Sequence, residues 1–366
     1  MFDKLGIYQT RFWLENETVK IIEKSSSRFL LELFSKVDDL TDRDLVYYDN
    51  AMDMETCFDK YSFQEHKWHQ TPNGDMEWVY MLNRQGYLVD LAIAFYLTKK
   101  EKYLEKWKLI IFDFIETNET EISHPEASWR VLDAGIRLMN WIKSLTYLPL
   151  DKLTEVEKAR ILASMKKHAD YIRSHLQEKH LLSNWGVLAV SGLLSFVYFD
   201  TKELEMREWA KKTLMQQAAL QFTPKGIHWE QSPLYHHEVV MCYAYLYQVA
   251  ETLDNGDSDV WKKILRNPVQ ATYYLSNSKQ ELLALNDSDV VDLSWVQSYY
   301  HLLGFDSVCT DYETGLIFAG NNFNKQHDVC FNSFFFDEVA GLAVVKQNDL
   351  YFTLFGGMHG SSHGHA

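Results

Sequence analysis

Four stretches of the chain carry Asn, Arg, Trp, His and Tyr where a plain helix would carry Leu and Lys. They are TPNGDMEWVYMLNRQGYL (71–88), ASWRVLDAGIRLMNW (127–141), LLSNWGVLAVSGLL (181–194) and GIHWEQSPLYHHEVV (226–240). In three of them Arg84, Arg137 and Asn184 sit beside apolar helical positions. A buried Arg or Asn has to be paired or hydrogen-bonded, so each has an ordinary structural use beside any chemical one. For the arginines that use is a strut, Arg130 or Arg137 with Asp133. Asn184 stands at an expected helix start before Trp-Gly, where N-capping is the structural reading. Tyr235 follows Ser-Pro at the head of another expected helix, with His236 and His237 after it. Adjacent helical residues point about 100° apart, so at most one of these histidines shares the tyrosine's face. Helix starts carry partial positive charge, and two on one side of a bundle can face a carboxylate in one cleft. Glu77, Glu230 and Asp287 are carboxylates with which a hydrolase could work. The sequence closes on FGGMHGSSHGHA (355–366), with His359, His363 and His365 among small residues.

These residues need a scaffold, and its periodicity is helical. Only 6 prolines and 16 glycines are spread over 366 residues, which suits long helices. In TEVEKARILASMKKHADYIRSHL (154–176), Val156, Ala159, Leu162, Met165, Ala169, Ile172 and Leu176 recur at three- and four-residue steps. Thr154 with Glu157 makes a capping box at its start. Similar patterns run through 85–97, 101–116, 127–146, 185–198, 201–221, 236–253 and 258–275. Short polar turns join them, which predicts antiparallel helical hairpins in an array. Near residue 312 the pattern changes: GLIFAG, DVCFNSFFFD, GLAVVKQ and LYFTLFGG are short β-branched or aromatic runs split by Gly, Asn and Asp. The expected fold class is therefore α+β and multidomain. Residues 1–310 form the helical domain and 311–366 the opening strands of a β domain too short to complete a sandwich.

Hydrophobic residues make up 46% and charged residues 24%, as in an ordinary soluble protein. Aromatics reach 14%, and such rings line sugar-binding clefts as well as cores. The net charge of -15 repels a nucleic-acid backbone, so no nucleic acid is expected as partner. It also argues against a heavily sulfated ligand. Cys57, Cys242, Cys309 and Cys330 are scattered and form no CxxC, which predicts buried free thiols in a reducing compartment. No run approaches the roughly 20 apolar residues of a membrane span, and MFDKLGIYQTRFWLENETVK lacks a signal-peptide core. The chain as given is thus expected to be cytoplasmic with no membrane partner, or secreted or periplasmic if an upstream leader is missing.

The elements EW..MLNR, SWR.LDAGIR..NW, SNWG, E.SP.YH, a late LNDSD (285–289) and HGHA occur in this order. As an ordered set over roughly residues 60–366 they resemble the heparinase II/III superfamily of polysaccharide lyases. The resemblance implies an N-terminal α/α toroid of helical hairpins followed by an antiparallel β-sandwich, within which this sequence stops. It implies β-elimination on a uronic-acid polysaccharide or oligosaccharide, with no cofactor required for the chemistry. Asn184 then corresponds to the group that neutralises the uronate carboxylate. Tyr235 and His363 share the roles of base and acid; ordinary pKa values favour His363 as base and Tyr235 as acid. Arg84, Trp185, Glu230 and His237 become substrate-binding candidates. His365 becomes the possible ligand of a structural zinc, but such a site takes about four ligands and the later ones are not in this sequence. Some relatives carry a histidine directly after the neutralising Asn. Trp185 stands there instead and tilts the reading to heparinase-III-like members and low-sulfate glycosaminoglycans such as heparan sulfate oligosaccharides. The alternatives are a glycoside hydrolase on the same toroid, or a glycan-binding fragment without turnover.

Overall fold

The computed structural model describes residues 1–14, 16, 19–20, 22, 27–47, 59–64, 68–118, 124–321, 327–348 and 350–357. Cys57, His359, His363 and His365 lie outside these residues. The chain divides into two compact units: Met1–Gln177 with Leu188–Lys211, and Glu178–Val187 with Lys212–Ala366.

The first unit opens with helices α1 (Phe2–Phe12) and α2 (Arg28–Asp42) and a short antiparallel pair, β1 (Leu45–Val46) and β2 (Tyr61–Ser62). Helices α3 (Met76–Arg84), α4 (Tyr87–Thr98), α5 (Glu101–Asn118), the one-turn α6 (Pro125–Ser128), α7 (Val131–Tyr147) and α8 (Glu155–His175) follow. Helix α4, YLVDLAIAFYLT, is apolar on nearly every side and is the buried centre, packed by α2, α5 and α7. Helix α9 (Asn184–Phe199) presses against α7 at two glycines. A Cβ on Gly135 would lie 2.3 Å from the Ala189 Cα, and one on Gly192 2.0 Å from the Gly135 carbonyl oxygen. Only hydrogen at these positions permits the approach.

The capping box of α8 forms as expected, with Thr154 and Glu157 each accepting the other's backbone N–H. The buried face of α8 is partly shifted from the expected one: Met165, Ala169 and Ile172 are buried as expected, but Val156 is 71% exposed and Ile161 and His168 are buried. The shift follows from a polar group in the core. Arg137 is fully buried and donates from Nε to His168 Nε2 at 2.8 Å and from Nη1 to the Asn83 carbonyl at 2.8 Å. Its guanidinium also lies over the Phe114 ring. Of the two struts expected on Asp133, the one with Arg130 forms and the one with Arg137 does not. Asp133 takes Arg84 and Arg130.

The second unit holds a 3₁₀ turn at Glu178–Leu182, the first turn of α9 and the end of α10 (Leu204–Gln221). It continues with α11 (Pro233–Leu253), α12 (Ser258–Tyr274), α13 (Ser294–Leu302) and α14 (Tyr312–Ala319). Three antiparallel strands close it: β3 (Phe334–Asp337), β4 (Leu342–Gln347) and β5 (Leu350–Phe355), in that spatial order. GLIFAG, expected as a strand, lies in α14. Asp311 caps that helix by accepting the Thr314 N–H, and Gly320 ends it with φ 73°, so capping decides an apolar run that periodicity left open. The other three expected strand runs each contribute one strand.

One face of the sheet packs on α12, where Ala340, Leu342 and Val344 meet Ala271, Tyr274 and Leu275. Lys346 on β4 ties the two together, donating from Nζ to the Tyr273 carbonyl at 2.7 Å and the Ser276 carbonyl at 2.9 Å. The opposite face carries Phe334, Phe336, Leu350, Phe352 and Leu354, each more than half exposed. Of the three described cysteines Cys242 is buried, whereas Cys309 and Cys330 lie at the surface. Among the described residues no helix is long and apolar enough to cross a membrane. The fold class is the expected one, an array of paired helices followed by the start of an antiparallel sheet.

Candidate active site

Asn184 is the first residue of α9, and its side chain does not cap the helix. Ser183 does so: its Oγ accepts the Trp185 N–H at 3.2 Å. The Asn184 amide is thereby free to turn to α11, where Nδ2 donates to Glu238 Oε2 at 3.1 Å. Its Oδ1 accepts from Ser183 Oγ at 3.3 Å, and its backbone N–H donates to Glu230 Oε2 at 3.3 Å. Donor and acceptor sides of the amide are therefore both assigned. The segment before it is pinned by α10, since Gln217 Nε2 donates to the His180 carbonyl and Gln221 Nε2 to the Leu181 and Ser183 carbonyls. Trp185 is 39% exposed, and its ring lies nearly parallel to that of His180.

Tyr235 occupies the first turn of α11. Pro233 sits at the permissive start of that helix, and Ser232 caps it by accepting the Tyr235 N–H at 3.3 Å. The phenol donates to Asp287 Oδ2 at 2.8 Å. Burial, this bond and the charges of Asp287, Glu238 and Glu230 push the phenol far above its ordinary pKa. Asn184 bonds to Glu230 and Glu238, and the same two carboxylates act on Tyr235, so amide and phenol share one acidic locus. Glu230 does not cap α11, which Ser232 does; it is buried and receives Asn184 instead. His236 donates from Nε2 to the Pro268 carbonyl on α12 at 3.1 Å. Burial lowers His236 to about 3 and His237 to about 4, so both are neutral at pH 7. A neutral His237 is a poor counter-charge for a carboxylate.

Arg84 belongs to the first unit. Its Nε donates to Asp133 Oδ1 at 2.9 Å, and Asp133 also receives Arg130, whose guanidinium stacks on the Tyr80 ring. Arg84 thus serves as one arm of a strut. His363, the expected base, and His365, the expected zinc ligand, lie outside the described residues. Among the described residues no group of three or more His, Cys, Asp or Glu side chains could hold a metal ion. Two functional candidates escape sequence reasoning. Glu238 holds the Asn184 amide, and its only signal is its position one helical turn after Tyr235. Asp287 holds the Tyr235 phenol; in the sequence it is visible only as a spare carboxylate in LNDSD. Together these groups make an oriented amide donor and a protonated phenol that have Glu230 and Glu238 in common, with Asp287 bonded to the phenol.

The sequence matches the heparinase II/III N-terminus family over residues 11–306. No curated protein matches it significantly. The fold is similar to that of solved heparinase III (18% identity, 97% of this chain and 57% of that one, TM-score 0.68). It is also similar to heparan sulfate lyase HepC from Pedobacter heparinus (17% identity, 93% and 53%, TM-score 0.60). A third similar structure is the heparinase III BT4657 gene product (16% identity, 93% and 55%, TM-score 0.59). The chain thus spans little more than half the length of these structures. At such identities the likeness is one of fold, whereas the family match runs through most of the sequence, both helix starts of the acidic locus included. The chain belongs to the heparinase II/III family.

Proposed function

We propose that this chain carries the helical part of the active site of a polysaccharide lyase that cleaves uronic-acid glycans by β-elimination. The observation that carries the reading is the meeting of Asn184 and Tyr235 at one locus through Glu230 and Glu238. The C5 proton of a uronate lies α to a carboxylate and is barely acidic, so its removal needs a donor that stabilises the enolate-like charge. The Asn184 amide has two N–H bonds; Glu238 takes one and fixes the plane, and the second is offered to the substrate carboxylate. A fixed donor of this kind is worth roughly 10²–10³ in rate. Tyr235, held protonated, suits donation to the departing O4 and not abstraction of the C5 proton. His363 is the base in this reading, by resemblance to the family.

The substrate class follows from charge. Three carboxylates at the locus and a net charge of -15 disfavour dense sulfation, so low-sulfate glycosaminoglycan oligosaccharides such as those of heparan sulfate are preferred to heparin. Trp185 offers an exposed ring on which a pyranose can stack. The zinc suggested by His365 plays no part in these steps.

The same three carboxylates favour one second reading, a glycoside hydrolase, which needs two of them across the scissile bond. Incubation with a panel of uronides and neutral glycans separates the two. Elimination leaves a conjugated C4=C5 uronide that absorbs in the ultraviolet; hydrolysis leaves none. Cleavage of a neutral glycan, or of a uronide without that chromophore, would replace the lyase reading with the hydrolase one.

A further inference from the structure

We propose that Asp287 is the positioning residue of this site: its carboxylate holds the Tyr235 phenol proton-loaded and aimed, so that the tyrosine serves only as an acid. The role as acid rests on the lyase reading; the pairing itself rests on geometry. Tyr235 donates to Asp287 Oδ2 at 2.8 Å, and both partners are referenced to one residue. Ser232 caps the helix of Tyr235 with its Oγ, and the same Oγ donates to the Asp287 backbone carbonyl at 2.7 Å. A second tie lies one residue earlier, where Asn286 Nδ2 donates to the Gln231 carbonyl at 2.8 Å. Asn286 takes a left-handed φ of 54°, a bend that Asn tolerates and that delivers Asp287 to the phenol. The carboxylate is thus presented by a loop bound twice to the segment that starts α11.

Electrostatics give the pairing its chemical sense. Among the described residues the carboxylates that act on the phenol are Asp287 from the 285–289 loop, Glu238 from the next turn of α11 and Glu230 from the segment before it. Burial disfavours a phenolate here, and the bond to Asp287 and the three like charges disfavour it further, so the proton stays on. In the elimination a separate base takes the C5 proton, and the freed electron pair forms C4=C5 as the C4–O4 bond breaks. The Tyr235 O–H turns from Asp287 and protonates O4. The phenolate left beside Asp287 is strongly basic and takes a proton from water, while the base returns its own. No water is consumed overall.

The test reads the phenol directly. Wild type, Asp287→Asn and Asp287→Ala are labelled with tyrosine carrying carbon-13 at Cζ, and Tyr235→Phe identifies the resonance. In wild type the Tyr235 signal should keep its protonated position beyond about pH 11, and in both variants it should titrate at least about one pH unit lower. The alkaline limb of kcat should move down with it while KM for an unsulfated uronide stays within about twofold. Asp287→Asn preserves shape and one acceptor oxygen, so it keeps the test valid if the alanine variant fails to fold. Identical Tyr235 titration in the three proteins would overturn the proposal whatever the activity. A shifted titration without elimination on any uronide would uphold the pairing and reject the lyase reading.

Discussion

Gly186→Ala should disable the site without touching a reacting group. Gly186 lies two residues beyond Asn184, in the first turn of α9. A Cβ there would stand 2.0 Å from the His180 carbonyl oxygen, 2.8 Å from its carbon and 2.3 Å from Gln217 Nε2. The two His180 atoms are backbone and cannot swing aside, so either α9 or the 3₁₀ turn must move by about an ångström. Overpacking of this kind costs about 1–3 kcal/mol. The displaced carbonyl also loses its bond from Gln217, now 3.1 Å, which adds about 1–3 kcal/mol if either group stays buried. A total of about 2–6 kcal/mol, against an unfolding entropy of about 2.1 cal/mol/K per residue, lowers Tm by roughly 3–8 °C for a chain of 366 residues. The same shift carries Asn184 off Glu238, so kcat should fall roughly 10²-fold, the worth of a misplaced oxyanion donor. Calorimetry and initial rates on one uronide measure the two effects. Adding Gln217→Ala removes the softer clash and leaves the 2.0 Å one, so the double variant should not recover. A Gly186→Ala protein as stable and active as wild type would refute the close approach and the argument built on it.

Lys346 is buried and its ammonium is pushed down to about 7, against 10.5 unfolded. Between these values the unfolded chain binds the extra proton, so stability should rise with pH from about 7 to about 10 and be penalised fully below. Lys346→Met should flatten that rise by roughly 2–4 kcal/mol in denaturant titrations, and an unchanged slope would contradict the assignment. The apolar outer face of the sheet, with Phe334, Phe352 and Leu354 more than half exposed, should make the 366-residue chain associate with rising concentration in sedimentation. Phe352→Lys should shift that equilibrium several-fold toward monomer, and a strictly monomeric wild type would refute the reading.

Local signals in the sequence were legible where they were self-contained. The Thr154–Glu157 capping box needs only four residues and forms as expected. The buried face of α8 is legible at Met165, Ala169 and Ile172 but not at His168, because apolar spacing carries no sign that Arg137, a residue 31 positions away, bonds it in the core. GLIFAG looked like a strand because a short apolar run carries no period of its own; Asp311 and Gly320 made it a helix. Asn184 reads as an N-cap because it stands at a helix start, but its neighbour Ser183 can cap as well, and the sequence does not say which one turns outward. The partners of the two candidate groups were the least legible. Asp287 lies 52 residues from Tyr235 and Glu238 lies 54 from Asn184, and no spacing rule joins them.

A lyase cleaves without adding water, and oxygen-18 water distinguishes this from hydrolysis. The protein is incubated with a low-sulfate uronide oligosaccharide in labelled water, and the products are weighed by mass spectrometry. Elimination predicts an unsaturated, unlabelled non-reducing end, with Tyr235→Phe reducing turnover at least about 10²-fold because the phenolic proton is gone. A saturated product pair that together carries one added molecule of labelled water, or full turnover in Tyr235→Phe, would contradict the lyase reading.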